Sequence, residues 1–238
     1  MPRGPSRKAP RLPVVAIVAA AGNGTRVGGA VPKQFLRFGG RTLLDHAVSR
    51  LARHPDVDAV VAVVPLARLR SASRLMARHP RLVAVVAGGP RRQDSVERGL
   101  EAIPGGREAI VLVHDAARPL VSGRVVSAVV RAARRDGAAV PGLSPADTVK
   151  VISAAGRVER TLDRASLRLI QTPQGFRAEW LRRAYAVARR RRIDATDDAS
   201  LVEAAGMPVT VVDGDPRTFK VTTRADVARL RALMRRPV

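Results

Sequence analysis

The sequence contains no cysteine, which excludes disulfide bonds and thiolate metal sites. Aromatic residues make up only 3% of its 238 residues, so a sizeable core has to be built from Val, Leu, Ile and Ala. No apolar run is long enough to span a membrane, and the first residues lack the apolar segment of a secretion signal. We therefore expect a cytoplasmic globular protein with no membrane partner.

Lysine is scarce as well, since four lysines stand against 39 arginines, and the formal net charge is +23. Such a charge raises the hypothesis of a basic nucleic-acid-binding protein without catalysis. The arginines are spread over most of the predicted helices, however, and there are too few aromatic residues to stack on bases. We interpret the surplus as replacement of lysine by arginine, and we expect no specific nucleic acid partner. Three of the four lysines lie in or beside candidate motifs: Lys33, Lys150 and Lys220.

The chain is organised around a glycine-rich stretch near its start. Residues 14–20 form an apolar run with β-branched residues, which predicts a strand buried on both faces. The run breaks into glycines that leave backbone N–H groups open to an anion, as in loops that cradle phosphate: Gly22, Gly24, Gly28 and Gly29. Arg26 and Lys33 add positive charge to this loop. An ordinary strand-to-helix turn is the alternative interpretation.

Two common phosphate-binding loops do not fit this stretch. A P-loop requires Gly-Lys-Ser/Thr at the start of a helix, but Lys33 follows Pro32 and precedes Gln34. The dinucleotide fingerprint requires a third glycine where Val27 stands, and no acidic residue ends a second strand about 20 residues later. The run AAAGNGTRVGGAVPK instead resembles the signature loop of the sugar-phosphate nucleotidyltransferases.

Beyond this loop, apolar residues alternate between helical and strand spacing. The pattern predicts helix 42–53 capped by Thr42, strand 58–64, helix 66–78, strand 82–87, helix 96–102 capped by Asp94 or Ser95, and strand 109–113. Such alternation predicts a mostly parallel sheet with helices on both faces and ligands at the carboxyl ends of the strands. Residues 1–12 are rich in proline and basic residues and predict a disordered tail, so a single domain is expected over residues 13–236.

Two further motifs follow predicted strands and should reach the same edge of the sheet. Gly88 and Gly89 follow strand 82–87, and Asp115 ends the next strand with Arg118 three residues later. Asp115 and Arg118 place a carboxylate and a guanidinium at this edge, where a structural ion pair is the alternative to a binding role. His114 is expected to pack rather than to bind a metal, since the other histidines show no ligand spacing with it.

Together the motifs resemble one enzyme family. They are AAAGNGTRVGGAVPKQF, GGPRRQDSV, VHDAARP, DTVK, TLDRASL, QTPQGF, TDDAS and FKVT. Over residues 14–233 their order and spacing are similar to those of the 2-C-methyl-D-erythritol 4-phosphate cytidylyltransferases. The resemblance implies a three-layer α/β/α Rossmann-like nucleotidyltransferase fold with a mostly parallel sheet and a protruding β-hairpin arm. It also implies transfer of CMP from CTP to 2-C-methyl-D-erythritol 4-phosphate, with release of pyrophosphate, in non-mevalonate isoprenoid synthesis.

The later part of the chain contains a predicted hairpin. Residues 147–153 and 157–162 alternate on either side of Ala-Ala-Gly, and a lone hairpin is only marginally stable in water. The resemblance implies that this arm, residues 144–163, embraces a second subunit, so that each active site of a homodimer is completed by the other chain. The remaining pattern predicts strands at 167–172 and 209–212 and helices at 178–191, 197–205 and 224–234.

The resemblance also assigns roles to individual residues. Arg26 and Lys33 are expected to stabilise the triphosphate, and Lys220 is expected to hold the acceptor phosphate together with Arg164 of the other subunit. The nucleotide is expected to contact Ala20, Ala21, Gly22, Gly24, Gly89, Ser95 and Ala116. The acceptor is expected to contact Asp115, Arg118, Thr148, Thr172 and Thr196. Mg²⁺ is expected mainly on phosphate oxygens, which it prefers to an all-protein site, so no protein ligand is assigned.

Two positions depart from the pattern of the family. Pro90 stands where many relatives have an acidic residue, and Arg168 replaces a common aromatic residue. We expect the first to alter the contacts to cytosine and the second to alter the packing of the arm. One alternative function stays within the class, a cytidylyltransferase for another polyol phosphate such as ribitol 5-phosphate. The basic nucleic-acid-binding protein is the alternative from a different class.

Overall fold

The computed structural model describes residues 11–22, 31–103 and 108–235. Its strands are β1 (Val14–Ala19), β2 (Arg37–Phe38), β3 (Arg41–Thr42), β4 (Ala59–Val64), β5 (Leu82–Ala87), β6 (Ile110–Asp115), β7 (Ala138–Leu143), β8 (Lys150–Ile152), β9 (Val158–Thr161), β10 (Leu169–Ile170), β11 (Gln174–Arg177) and β12 (Thr210–Asp213). Its α-helices are α1 (Leu43–Ala52), α2 (Leu69–Met76), α3 (Arg92–Glu101), α4 (Gly123–Asp136), α5 (Ala178–Arg191), α6 (Asp198–Ala204) and α7 (Arg224–Arg235).

Eight strands form the central sheet, in the order β10-β7-β11-β6-β1-β4-β5, with β12 also paired to β7. The pairs β1/β4, β1/β6, β4/β5 and β7/β12 are parallel, whereas β11 runs antiparallel between β6 and β7. The register pairs Ala19 with Asp115 on one side and with Val63 on the other. The loops after β1, β5 and β6 therefore meet at one edge of the sheet, as expected.

Helices cover both faces of this sheet and give it three layers. Val14, Ala16 and Val18 of β1 belong to a cluster with α1, α2 and α4. Val15 and Ile17 point to the opposite cluster, which includes α3, α5 and α6. Because both faces of the inner strands are buried, these strands are continuous apolar runs rather than alternating ones. The predicted three-layer α/β/α architecture is confirmed.

Most predicted elements are present within a residue or two of their expected bounds, and Thr42 caps α1 by accepting the backbone N–H of Asp45 at 3.1 Å. The predicted start of α3 is wrong, because the helix begins at Arg92 rather than at Val96. Asp94 lies inside the first turn and accepts the N–H of Arg91 at 3.0 Å. Asp94 is therefore the third residue of the helix and not its N-cap. Acidic residues also favour this third position.

The predicted hairpin is also present, as the antiparallel pair β8 and β9 in a sheet of its own. Ile152 and Val158 are each 61% exposed. Within the described ranges, no side chain of β8 or β9 belongs to a hydrophobic cluster of the core. The arm therefore projects from the domain that carries it.

Several predictions concern residues outside the described ranges. They are the basic tail up to residue 10 and the loop residues Gly24, Arg26, Gly28 and Gly29. The prediction of a disordered tail is wrong for its last two residues, because Arg11 pairs with Asp58 at 2.7 Å and Leu12 packs against the core. Among the residues that are described, no helix combines the length and the apolar character needed to cross a membrane.

Candidate active site

Two clefts lie at the edge where β1, β5 and β6 end. The first has a volume of about 680 Å³ and is lined by the loops after β1 and β5. The second has a volume of about 520 Å³ and lies between the end of β6, α6 and the beginning of β12. We call them the nucleotide cleft and the acceptor cleft, after the roles expected for their residues. Arg92, Asp115 and Lys220 line both clefts and form the wall between them.

The nucleotide cleft brings together most of the residues predicted to bind the nucleotide. They are Ala20, Ala21, Gly22, Gly89, Ser95 and Ala116. Lys33 and Pro90 line the same cleft. Gly24 and Arg26, the other expected residues of the first loop, lie outside the described ranges. A volume of about 680 Å³ lies within the usual range of small-molecule sites, about 300–1,000 Å³.

Gln34 holds the beginning of the first loop, and sequence reasoning missed it. Its buried amide Nε2 donates to the carbonyl oxygens of Ala20 at 2.8 Å and Gly22 at 2.6 Å. Gln34 and Lys33 share the short 3₁₀-helix Lys33–Phe35, so the same contact sets the position of Lys33 relative to the loop. A polar residue between Lys33 and the apolar Phe35 was the only signal of this clamp in the sequence.

The loop after β5 approaches the first loop so closely that it requires glycine. A Cβ atom at Gly88 would overlap the Cβ of Ala21 and lie 2.7 Å from Ser95 Oγ. Ser95 accepts the backbone N–H of Gly89 at 3.1 Å and donates to the carbonyl oxygen of Arg91 at 3.0 Å. Ser95 therefore holds the loop against the start of α3 instead of capping that helix.

Asp115 gathers three cationic side chains in the wall between the clefts. Its Oδ2 lies 2.8 Å from Lys220 Nζ and 3.8 Å from Arg118 Nε, and its Oδ1 lies 3.5 Å from Arg92 Nε. Burial works to raise the pKa of Asp115, but the charges of Lys220 and Arg92 outweigh it and hold that pKa well below its ordinary value. Asp115 is thus an ionised orienting group rather than a proton donor, and the wall keeps an excess of positive charge that favours phosphate.

Arg92 is held in position by two buried residues, Asp198 and Tyr185, which the sequence analysis did not predict as part of the site. Its Nη2 lies 2.8 Å from Oδ2 of Asp198, whose side chain is fully buried, and Tyr185 Oη donates to Asp198 Oδ1 at 2.6 Å. Burial works to lower the pKa of Arg92, but Asp198 and Asp115 outweigh it and raise that pKa above its ordinary value. Burial and Asp198 raise the pKa of Tyr185, so its hydroxyl stays protonated and donates.

His114 packs under the site, as predicted. Its Nε2 donates to the carbonyl oxygen of Arg118 at 3.1 Å, and its Nδ1 accepts the hydroxyl of Thr172 at 3.0 Å. Thr172 Oγ1 in turn accepts the N–H of Asp115 at 3.1 Å. Burial lowers the pKa of His114 to about 4, so the ring is neutral near pH 7 and this chain of hydrogen bonds has one consistent direction.

The acceptor cleft brings together most of the residues predicted to bind the acceptor: Asp115, Arg118, Thr172, Thr196 and Lys220. Arg118 donates through Nη1 to the carbonyl oxygen of Thr218 at 2.8 Å, while its buried Nε–H has no hydrogen-bond partner within the described ranges. A buried donor left without a hydrogen bond is costly, and the acidic group facing this Nε is Asp115, whose Oδ2 lies 3.8 Å away.

Thr148 and Arg164 do not reach either cleft of the same chain. Both residues are exposed, and Arg164 Nη1 donates to the carbonyl oxygen of Ala146 at 2.8 Å. Arg168 is exposed too and donates to the carbonyl oxygens of Ala165 and Leu167 at 2.8 and 2.7 Å. These residues belong to the arm and its base, away from the wall formed by Arg92, Asp115 and Lys220.

The fit of a metal ion can be judged from the donor groups. The described residues include no group of three or more His, Cys, Asp or Glu side chains arranged to hold one. Asp115 is the carboxylate among the described residues that line the nucleotide cleft, and it is already paired with Lys220. This donor set fits an ion that takes most of its ligands from phosphate and water.

The fold and the site together define a nucleotidyl-transferring enzyme of the α/β class, with a glycine-lined nucleotide cleft and a cationic wall beside a second cleft. A sequence model of the IspD family, 2-C-methyl-D-erythritol 4-phosphate cytidylyltransferase, matches residues 14–236. The chain belongs to this family.

Individual relatives agree with the family match. A 2-C-methyl-D-erythritol 4-phosphate cytidylyltransferase of Rhodococcus opacus is 47% identical, over 94% of this chain and 96% of the relative. A bifunctional enzyme IspD/IspF of Anaeromyxobacter dehalogenans is also 47% identical, over 94% of this chain, but the chain spans only 58% of that longer protein. The crystal structure of the Thermus thermophilus cytidylyltransferase is 40% identical, with a TM-score of 0.74 over 95% of this chain and 100% of that one.

Proposed function

We propose that the chain transfers CMP from CTP to 2-C-methyl-D-erythritol 4-phosphate, giving 4-diphosphocytidyl-2-C-methyl-D-erythritol and pyrophosphate. The observation that supports this most directly is the wall shared by the two clefts, made of Arg92, Asp115 and Lys220. A transferase has to bring two anionic substrates side by side, and one cationic wall between two clefts meets that requirement.

On the nucleotide side, the cytosine and ribose would lie against the small residues Ala20, Ala21, Gly89 and Ala116, which leave room for the rings. The triphosphate would extend along the first loop towards Lys33 and Arg26. The backbone N–H groups of such a loop and the two cations would stabilise the charge on the leaving pyrophosphate. Pro90 in this cleft offers no side-chain donor, so contacts to the cytosine edge would come from backbone groups and Ser95.

On the acceptor side, the phosphate monoester would be held by Lys220 and by the guanidinium of Arg118, which both line the acceptor cleft. One oxygen of this phosphate attacks the α-phosphorus of CTP in line, forming a new P–O bond. The bond from the α-phosphorus to the bridging oxygen of the β-phosphate breaks, and pyrophosphate leaves with the electron pair. A phosphate monoester is already ionised near pH 7, so the attack needs positioning rather than a general base.

When bound, Mg²⁺ would supply positive charge that neutralises the charge developing on the phosphates. Asp115 is the side chain placed to contribute a carboxylate oxygen at the nucleotide cleft, while most ligands would be phosphate and water. The residues of the chain that bind the remaining phosphate charge would be Lys33, Arg26 and Lys220.

The arm supports a homodimer as part of this proposal. Its apolar side chains are exposed within one chain, with Ile152 and Val158 each 61% accessible, and need another surface to cover them. An exchange of arms about a twofold axis would cover both. It would also carry Thr148 and Arg164 to the acceptor cleft of the other subunit, since neither reaches the acceptor cleft of its own chain.

The experiment that tests the proposal is the initial rate of pyrophosphate release with CTP and Mg²⁺, measured with each of two acceptors. Faster release with 2-C-methyl-D-erythritol 4-phosphate than with ribitol 5-phosphate is the expected result. The opposite preference would make the chain a sibling enzyme for another polyol phosphate. No release with either acceptor, combined with salt-resistant binding to DNA or RNA, would favour the basic nucleic-acid-binding protein instead. The cytoplasmic location stays a prediction, which cell fractionation would test.

A further inference from the structure

A third cleft, of about 550 Å³, lies between α1, the beginning of α4 and α7. It shares no lining residue with the nucleotide cleft or the acceptor cleft. Its walls carry four arginines, Arg41, Arg50, Arg53 and Arg217, and no carboxylate among the described residues that line it. We call it the basic cleft.

Three of these guanidinium groups have no acidic partner among the described residues. Arg41 pairs with Asp45, with Nε 2.9 Å from Oδ2. The side chains of Arg50, Arg53 and Arg217, in contrast, form no hydrogen bond or ion pair within the described part of the chain. Elsewhere on the surface arginines do find acidic partners, as Arg135 does in Asp136 at 2.7 Å. Other exposed arginines, such as Arg70 and Arg74 of α2, find no partner among the described residues. The basic cleft therefore differs from the general surplus of arginine in gathering unpaired guanidinium groups around one concavity.

The floor of the basic cleft is apolar and the groups around it are cationic. Leu120, Val121 and Val126 are buried at its base, and Leu233 and Met234 of α7 form a partly buried wall. Guanidinium forks match the oxygens of a phosphate group, while the floor can accept a short hydrocarbon body. The volume is also within the usual range of small-ligand sites, about 300–1,000 Å³. This chemistry fits a small organic phosphate with an apolar part.

The basic cleft touches the backs of two segments that carry acceptor-site residues. Leu120 and Val121 follow Arg118 by two and three residues, and Arg217 precedes Lys220 by three residues. The two segments are tied together, since Arg118 Nη1 donates to the carbonyl oxygen of Thr218 at 2.8 Å and the N–H of Val221 donates to that of Ala117 at 2.8 Å. A ligand that binds Arg217 and displaces it would shift the backbone segment that positions Lys220 next to Asp115.

We propose that the basic cleft binds a small organic phosphate and thereby changes the affinity of the acceptor cleft for its substrate. The binding half of this statement stands on the geometry of the basic cleft alone. The coupling half rests on the proposed function, because it is measured as a change in the acceptor KM. Coupling of this kind is a difference in ligand affinity between two arrangements of one element, here the segment from Arg217 to Lys220.

The test uses n-hexyl phosphate as the probe and isothermal titration calorimetry at about 0.15 M salt. Arg50→Gln/Arg53→Gln removes two charges from the basic cleft, and Arg70→Gln/Arg74→Gln removes two exposed charges from α2 as the matched control. Lys220→Ala serves as a third variant, since it removes a cation from the acceptor cleft. We expect Kd to rise at least about tenfold in the first variant, equivalent to about 1.4 kcal/mol, and to change less than twofold in the other two.

An equal rise in the Kd of n-hexyl phosphate in Arg50→Gln/Arg53→Gln and in Arg70→Gln/Arg74→Gln would overturn the proposal. The probe would then be attracted by the charge of the whole surface and not bound in the basic cleft. Loss of binding in Lys220→Ala would overturn it too, by placing the probe in the acceptor cleft. In activity assays n-hexyl phosphate should change the acceptor KM of the wild type at least about twofold. It should leave the acceptor KM of Arg50→Gln/Arg53→Gln unchanged. An unaltered wild-type KM would refute the coupling. A chain that binds the probe but releases no pyrophosphate would contradict the proposed function and not the site.

Discussion

Arg92 is expected to stabilise the fold as well as to form the wall of the active site. Arg92→Met keeps most of the aliphatic stem and removes the guanidinium, which leaves the fully buried carboxylate of Asp198 without its cation. Removing one partner of a buried ion pair typically costs about 3–5 kcal/mol, because an uncompensated charge stays inside.

The structure favours the lower end of that range. Tyr185 still donates to Asp198 at 2.6 Å after the change, and the side chain of Arg92 is 27% exposed, so water can reach part of the vacated space. We therefore expect a loss of about 3 kcal/mol in the free energy of unfolding. For a domain of this size, that corresponds to a fall in Tm of about 6–12 °C. The protein should remain folded at 25 °C, since domains of this kind are stable by about 5–15 kcal/mol.

The assay is urea unfolding of a double-mutant cycle with Asp198→Asn. Arg92→Met/Asp198→Asn removes the stranded charge, so its loss should be smaller than the sum of the single losses by at least about 1.5 kcal/mol. Arg70→Met on the exposed face of α2 is the control and should stay within about 0.5 kcal/mol of the wild type. An Arg92→Met loss as small as that of the control, or strictly additive losses in the cycle, would refute the reasoning.

Four further predictions concern the site, the dimer and the charge. Arg26→Ala and Lys33→Ala should each lower kcat by about 10²–10³ with little change in Tm, because each removes a positive charge that is expected to stabilise the leaving pyrophosphate. Mixing Arg164→Ala chains with Lys220→Ala chains should restore about half of the wild-type activity per heterodimer, because one site then has both residues intact. Between pH 6.5 and 4, His114 is protonated in the unfolded chain but neutral in the folded protein. The free energy of unfolding should therefore fall by up to about 3 kcal/mol as the pH falls through this range. His114→Gln should lack this part of the pH dependence. Binding to DNA or RNA should be unselective and largely lost at about 200 mM salt.

Each of these has a clear contrary result. Near-normal turnover in Lys33→Ala or Arg26→Ala would remove the first loop from the mechanism. If mixing restores nothing although subunit exchange is confirmed, the shared site is wrong while the transfer reaction can still hold. An unchanged pH slope in His114→Gln would show that other groups carry it, and sequence-selective binding that survives about 200 mM salt would revive the nucleic-acid alternative.

Six of the eight strands of the central sheet and most helices could be predicted because their signals are local, whereas β7, β11 and α4 were not predicted. Helix α5 (Ala178–Arg191) was predicted to the residue, since its apolar residues repeat at helical spacing over 14 residues. The meeting of the loops after β1, β5 and β6 followed from the rule for parallel strands, and the register of Ala19 with Asp115 confirms it.

The supports of the site could not be predicted because they depend on long-range contacts. Arg92 meets Asp198 and Tyr185 from about a hundred residues away in the chain, and no local pattern marks such a pair. One signal was present, since Tyr185 is the single tyrosine of an aromatic-poor chain and lies on the apolar face of a predicted helix. For Arg164 the situation is the opposite. The resemblance to the family predicts its role, but the fold of one chain cannot test that role because it depends on a second subunit.

The central claim is that an oxygen of the acceptor phosphate becomes the bridge to the α-phosphorus of CTP, and ³¹P NMR with labelled acceptor tests it most directly. The acceptor would be 2-C-methyl-D-erythritol 4-phosphate with ¹⁸O in its non-bridging phosphate oxygens. We predict pyrophosphate and a diphosphate diester with two coupled phosphorus signals, both shifted by an ¹⁸O atom in the bridge between them. Formation of CMP and pyrophosphate alone, or a diester whose bridge carries no label, would contradict the account.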